Sequence, residues 1–277
     1  MINVLRYELK RLFSRKEFFI VIVIAFFYIS VDFIYHSVML INSPLFELPS
    51  AYQMWLLYNK VRGQWGQLFA YFLIPLFATI PYSDSYLEDK RAGVINFIIT
   101  RCDKRVYLFC KGIVVFFSGF IVVFAPLLFD QLLCFCLLPV YSPSENVFNH
   151  PTYNAYQFLS TVQLPKLHSI NPYLHNLFYM LLNGVCAGII ALVSYSISFF
   201  RKMNRYLVVI LAFLFYLLEN FIGKLISSST TFSIADYLII LPFSSEITKY
   251  QYLLIFIMGL LFISAITINL RCSKDEV

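Results

Sequence analysis

Six apolar runs, each of 18 or more residues, decide what this chain can fold into: Phe18–Ile41, Trp65–Tyr82, Ile113–Val140, Leu177–Phe200, Tyr206–Ile226 and Tyr252–Leu270. Crossing a hydrocarbon core takes about 20 apolar residues in a helix. Lipid offers no partner to a free backbone N–H or C=O, so each run must bond its backbone internally. A barrel would need alternating strands of about ten residues, and these runs do not alternate. The reading is an all-α polytopic membrane protein with six transmembrane helices. Composition agrees: 13% of the 277 residues are charged, against roughly 25% in soluble domains, too few to cover a water-facing surface.

Lys and Arg orient the spans, because cytoplasmic loops retain them. With the N-terminus inside, the inner segments hold 16 of the 21: five before residue 17, six between Lys90 and Lys111, three at Arg201, Lys202 and Arg205, and two at Arg271 and Lys274. Only Lys60, Arg62, Lys166, Lys224 and Lys249 fall outside. Both termini are therefore expected in the cytoplasm, and no cleavable signal peptide is expected. The net charge of +6 reports topology and implies no nucleic-acid partner. The six cysteines lie within spans or on the inner side, which suits a reducing compartment.

The chain reads as a single transmembrane domain over 1–277. Residues 1–17 form a basic amphipathic helix with Val4, Leu5, Leu9, Leu12 and Phe13 on one side and Arg6, Lys10 and Ser14 opposite. Such a helix lies in the interface plane against lipid headgroups; a charged flank that only sets topology is the other reading. The first outer loop, Asn42–Gln64, is expected to rest on the outer leaflet through residues such as Trp55 and Tyr58. The second, 141–176, is rich in Pro, Asn and Ser and too short for a domain of its own. Tyr237–Phe243 is apolar but too short to cross, so it is read as re-entrant or interfacial.

Between the second and third spans the charge is concentrated: Ser83–Lys111 holds ten of the 36 charged residues. Asp84 or Ser85 can cap a first helix, with Glu88 and Asp89 in its first turns, where carboxylates suit the dipole. Leu87, Val94, Ile95 and Ile98 then share one side at helical spacing. Thr100-Arg101 closes that helix, and Asp103 can cap a second running through Lys111 into the third span. An apolar stripe between charged ends suits docking against another protein.

This segment resembles the loop of the permease subunits of type 2 ABC exporters, the ABC-2 family. Glu88 or Asp89 stands at the acidic position and Gly93 at the glycine. Val94–Ile99 forms the apolar helix, Thr100 to Lys104 with Arg101 and Asp103 the turn, and Lys111 the closing lysine. The turn lacks the proline common in that family. The layout is similar too: amphipathic N-terminus, six spans, both ends inside, a broken segment between spans five and six. The resemblance implies that 83–111 is a coupling loop, with Leu87, Glu88, Asp89, Arg91, Gly93, Val94, Ile95, Ile98, Arg101 and Asp103 facing a cytoplasmic ABC ATPase subunit. It implies a second permease, identical or homologous, and a plasma-membrane location, the bacterial cytoplasmic membrane. It implies that ATP and Mg sit on the partner ATPase, with no cofactor on this chain, which carries no G-x-x-x-x-G-K-[ST] phosphate cradle. The implied activity is export of a peptide, lipid or drug-like substrate, with self-protection against an antimicrobial peptide as one form.

Asp32, His36, Asp130 and Glu219 interrupt the apolar runs. Intramembrane charge costs roughly 2.5–3.5 kcal/mol or more, so such groups face a bundle interior or a wet cavity. Asp32 and His36 are one turn apart. Glu219 and its neighbour Asn220 lie ~20 Å beyond Tyr206 at ~1.5 Å per residue. Asp32, His36, Glu219 and Asn220 are candidates for a translocation route; an interhelical hydrogen bond, such as Asp32 with a tyrosine, is the other reading and the preferred one for Asp130. The histidines lack metal-ligand spacing and are placed at surfaces or interfaces. Two other classes are weighed: a non-transport polytopic scaffold or envelope-stress sensor, and an intramembrane enzyme, which lacks G-x-S-x-G, H-E-x-x-H or paired intramembrane Asp.

Overall fold

The structure, a computed structural model, describes residues 1–41, 43, 48–58, 62–100, 102–140, 164–200, 203–226, 232–240 and 250–273. Among these the regular secondary structure is all helical, with no strand. The helices are α1 (Ile2–Phe13), α2 (Lys16–Leu40), α3 (Gly63–Leu68), α4 (Ile74–Thr79), α5 (Ser85–Arg91), α6 (Val94–Ile99), α7 (Lys104–Leu137), α8 (Pro165–Ile170), α9 (Pro172–Ile197), α10 (Arg205–Ile226), α11 (Ile234–Tyr237) and α12 (Tyr250–Ser273). Five of them, α2, α7, α9, α10 and α12, are long and apolar enough to cross a membrane.

The second run behaves differently. Its helical stretch is split by a π turn, Phe69–Leu73, between α3 and α4. Ile74 N–H reaches back to the Phe69 carbonyl. The same spacing would pair Ala70 with Pro75, which has no N–H to give. The Tyr216 hydroxyl from α10 donates to the Ala70 carbonyl instead, at 2.9 Å. A free carbonyl in lipid would cost several kcal/mol, so α10 completes the hydrogen bonding of this stretch.

At the centre α7 lies along α9, the most extensive packing in the bundle. Small residues let the backbones approach, since packing rather than hydrophobicity drives helix association in lipid. A Cβ on Gly119 would lie 2.9 Å from both the Ala187 carbonyl and the Ala191 methyl. The rings of Phe116, Phe120 and Phe124 stack in turn along α7 and cover Gly184 and Gly188 of α9. Asn171 caps α9, its Oδ1 accepting from Tyr173 N at 2.8 Å and Leu174 N at 3.3 Å.

Three expectations are corrected. The helix expected over Ser83–Arg101 breaks at Gly93, which takes the left-handed conformation (φ 68°) between α5 and α6; a side chain there would be strained. Leu87 therefore does not share a helix with Val94, Ile95 and Ile98. The described part of the loop between the first two runs does not rest on a leaflet surface: Trp55, Leu56, Leu57 and Tyr58 are buried in the bundle. Nor are all the histidines superficial. His168 and His175 are buried, their rings 5.2 Å apart.

Candidate functional site

Among the described residues, three polar clusters interrupt the apolar bundle. The first gathers the charged loop, α1 and the start of α7. Arg15 Nη1 pairs with Asp84 Oδ1 at 2.7 Å and Nη2 with Glu88. Arg11 binds Glu88 at 3.1 Å through Nη2 and Asp89 through Nη1. Asp89 is fully buried and also takes the Lys111 ammonium and a donated bond from the Tyr107 hydroxyl. Burial alone would raise the Asp89 pKa, but Lys111, Tyr107 and Arg11 together hold it below the usual carboxylate range. Buried Glu8 lies 3.6 Å from Lys111 and accepts from the Tyr82 hydroxyl at 2.6 Å. Arg205, opening α10, joins Asp84 at 2.7 Å and Glu17 of α2 at 2.6 Å.

Asp84 and Asp103 hold the capping positions expected of them, yet neither side chain bonds its helix; Asp84 is occupied by the two arginines. Asp84, Glu88, Asp89 and Lys111 of this loop thus bind the chain to itself. Leu87 and Ile95 are buried, Val94 and Ile98 half-buried, and Glu88 is 52% exposed at its side chain. Arg91 is exposed and donates to Asn204 Oδ1 at 3.0 Å. Asp103 and Gly93 are exposed, and Arg101 lies outside the described residues. Among the described side chains of α5 and α6, Phe97 is the most exposed apolar one, at 74%. The sequence reading passed over Phe97 because it lies off the stripe.

The second cluster lies at the opposite end. Arg62 Nη1 bridges Asp130 Oδ1 (2.6 Å) and Asp32 Oδ2 (3.2 Å), all three residues being buried. His36 Nδ1 is 2.9 Å from Asp32 Oδ1. Leu56 N donates to Asp130 Oδ2 at 2.8 Å, and Trp55 Nε1 to the Leu127 carbonyl at 3.2 Å. Asn176 Nδ2 reaches Gln131 Oε1 at 2.8 Å. The loop before α3 is seated on these groups. Asp32 and Asp130, assigned separately from sequence, share one guanidinium rather than a tyrosine. Arg62 was missed because a loop arginine counts toward topology, and nothing local marks it as buried.

The third cluster surrounds α10. Asn220 fixes the segment before α11: its Oδ1 accepts from Ser233 Oγ (2.7 Å) and Ala235 N (2.9 Å). Asp236 takes the Tyr71 hydroxyl. Ile240 N donates to the Leu57 carbonyl at 2.9 Å, and Leu238 to Ile240 are buried; the remainder of the apolar Tyr237–Phe243 piece lies outside the described residues. Glu219 turns to the other side, where it borders a cavity of about 560 Å³ between α10, residues 232–237 and α12. Asp32 and His36 therefore sit in one cluster and Glu219 and Asn220 in another, rather than along one route.

No family model, curated protein or solved structure matches this chain.

Proposed function

We propose that the chain is the membrane-spanning subunit of an ATP-driven exporter of the ABC-2 type, crossing the bacterial cytoplasmic membrane six times with both termini in the cytoplasm. Besides the five long helices, the second span is the stretch through α3, the π turn and α4, completed by Tyr216. The observation that carries the reading is the α5–α6 hairpin. Its base is fixed through Asp84, Glu88 and Asp89 to α1, α7 and α10, while Phe97 and Arg91 are exposed. A hairpin tied to three helices by ion pairs, the one between Asp89 and Lys111 fully buried, transmits displacement to those helices instead of yielding like a loop. Exposed apolar surface beside cationic charge suits a protein groove on a separate ATPase, which would carry the ATP and Mg. A second permease, identical or homologous, would cover the exposed apolar faces of α10 and α12 that lipid does not. The cargo is a peptide, lipid or drug-like molecule.

Affinity purification from detergent extracts, read by mass spectrometry, tests this. A Walker-type ATPase should accompany the chain, and Phe97→Asp should release it, at ~1–3 kcal/mol for one buried side chain. Phe97→Cys should crosslink to a cysteine in the ATPase groove. An ATPase retained by Phe97→Asp, without that crosslink, would refute the docking assignment. No ATPase at all would favour the polytopic scaffold. Reporters after Val277 and near Asn154 should lie on opposite sides of the membrane, the first cytoplasmic.

A further inference from the structure

The cavity beside Glu219 is built from aromatic and aliphatic side chains, with one charged group. Phe215 and Glu219 come from α10, Phe232 and Tyr237 from the segment around α11, and Tyr252 and Phe256 from α12. The rings of Phe232 and Tyr252 lie 4.6 Å apart. Among the described residues Glu219 is the only charged one in the wall. Among the described residues no cation lies within 4 Å of it, and its Oε2 accepts only a long bond from Ile234 N, at 3.4 Å. The nearby ammonium of Lys224 is placed over the Tyr71 ring, 4.5 Å from its centroid. Glu219 lies ~21 Å along α10 from Arg205 at ~1.5 Å per residue, far from the basic end of the bundle.

We propose that this cavity binds an amphiphilic cation: an alkyl chain ending in a quaternary or protonated amine, with Glu219 as its counter-charge. A lipid tail needs no carboxylate and would leave this one buried against hydrocarbon, at a cost. An anion would be repelled. A cation with an apolar body satisfies both halves of the wall, because aromatic faces attract ammonium groups and quaternary amines especially. The volume lies in the usual range for small-molecule sites, about 300–1,000 Å³. The inference deepens the transport reading by naming a substrate class and rests on that reading for the step of export; binding belongs to the chain alone.

The test uses the full chain in lipid nanodiscs and a dodecyltrimethylammonium probe carrying a diazirine on its chain, with a neutral ether of the same length as comparison. Peptide mapping after illumination should place the label on residues 215–226, 232–237 and 252–256, and labelling should be competed by unmodified dodecyltrimethylammonium. Glu219→Gln keeps the side-chain shape and the acceptor for Ile234, and should weaken half-maximal labelling about tenfold, the scale of one lost desolvated charge contact. Tyr252→Leu keeps the wall apolar and should weaken the cation while sparing the ether. Equal labelling by cation and ether in the native protein would make the cavity a lipid-filled groove and overturn the proposal. So would unchanged affinity in Glu219→Gln. No ATPase is needed, so a labelled cavity in a chain that copurifies with none would retain the site and remove the exporter.

Discussion

Asp89→Asn is the sharpest probe of the ion cluster that anchors the α5–α6 hairpin. Asparagine keeps the shape and can still accept from Tyr107, so the change removes charge and little else. Asp89 and Lys111 are both fully buried. Without the carboxylate, the Lys111 ammonium retains Glu8 at 3.6 Å and the Ser85 carbonyl at 3.4 Å. Arg11 retains Glu88. Removing one partner of a buried pair costs about 3–5 kcal/mol, and the residual contacts place this case near 3. At roughly 2–4 °C per kcal/mol for chains of 150–250 residues, the melting temperature in nanodiscs should fall by ~6–12 °C. Adding Lys111→Met removes the orphaned charge and should recover most of the loss, because the pair as a unit contributes far less than its halves. Thermal unfolding of the four proteins of the cycle decides the matter. A loss under ~1 kcal/mol in Asp89→Asn, or a double variant as unstable as the single, would refute the anchoring argument.

At the opposite end, Arg62→Met should destabilise by about 3–5 kcal/mol, since it strands two buried carboxylates; Asp32→Asn with Asp130→Asn on that background should restore most of it in the same melt. Gly119→Val should cost ~1–3 kcal/mol by pushing α7 off Ala187 and Ala191, read as a lower melting temperature. Burial, with His175 beside it, pushes His168 down to about 4. The unfolded chain then binds the proton more readily than the folded one between about pH 6.5 and 4. Stability should be full above pH 6.5 and fall by up to ~3 kcal/mol as the pH drops through that window; His168→Gln should flatten that part of the profile.

The apolar runs determined the membrane class and the helices without help from tertiary structure. Lipid leaves the backbone no other partner, so run length and composition are sufficient for α2, α7, α9, α10 and α12. Gly93 was visible as a residue, but its left-handed turn was not, because the apolar spacing from Leu87 to Ile98 fits a continuous helix equally well. The second run shows the same limit. Pro75 is plain in the sequence, yet the carbonyl it leaves open at Ala70 is satisfied by Tyr216, 146 residues away. Charge carried the least local information. A carboxylate or guanidinium has the same identity whether it faces water, lipid or a partner, and its meaning comes from what folding brings within about 4 Å of it. Only the tertiary structure put Arg62 between Asp32 and Asp130, turned Asp84, Glu88 and Asp89 onto Arg11, Arg15 and Arg205, and left Glu219 facing an apolar cavity.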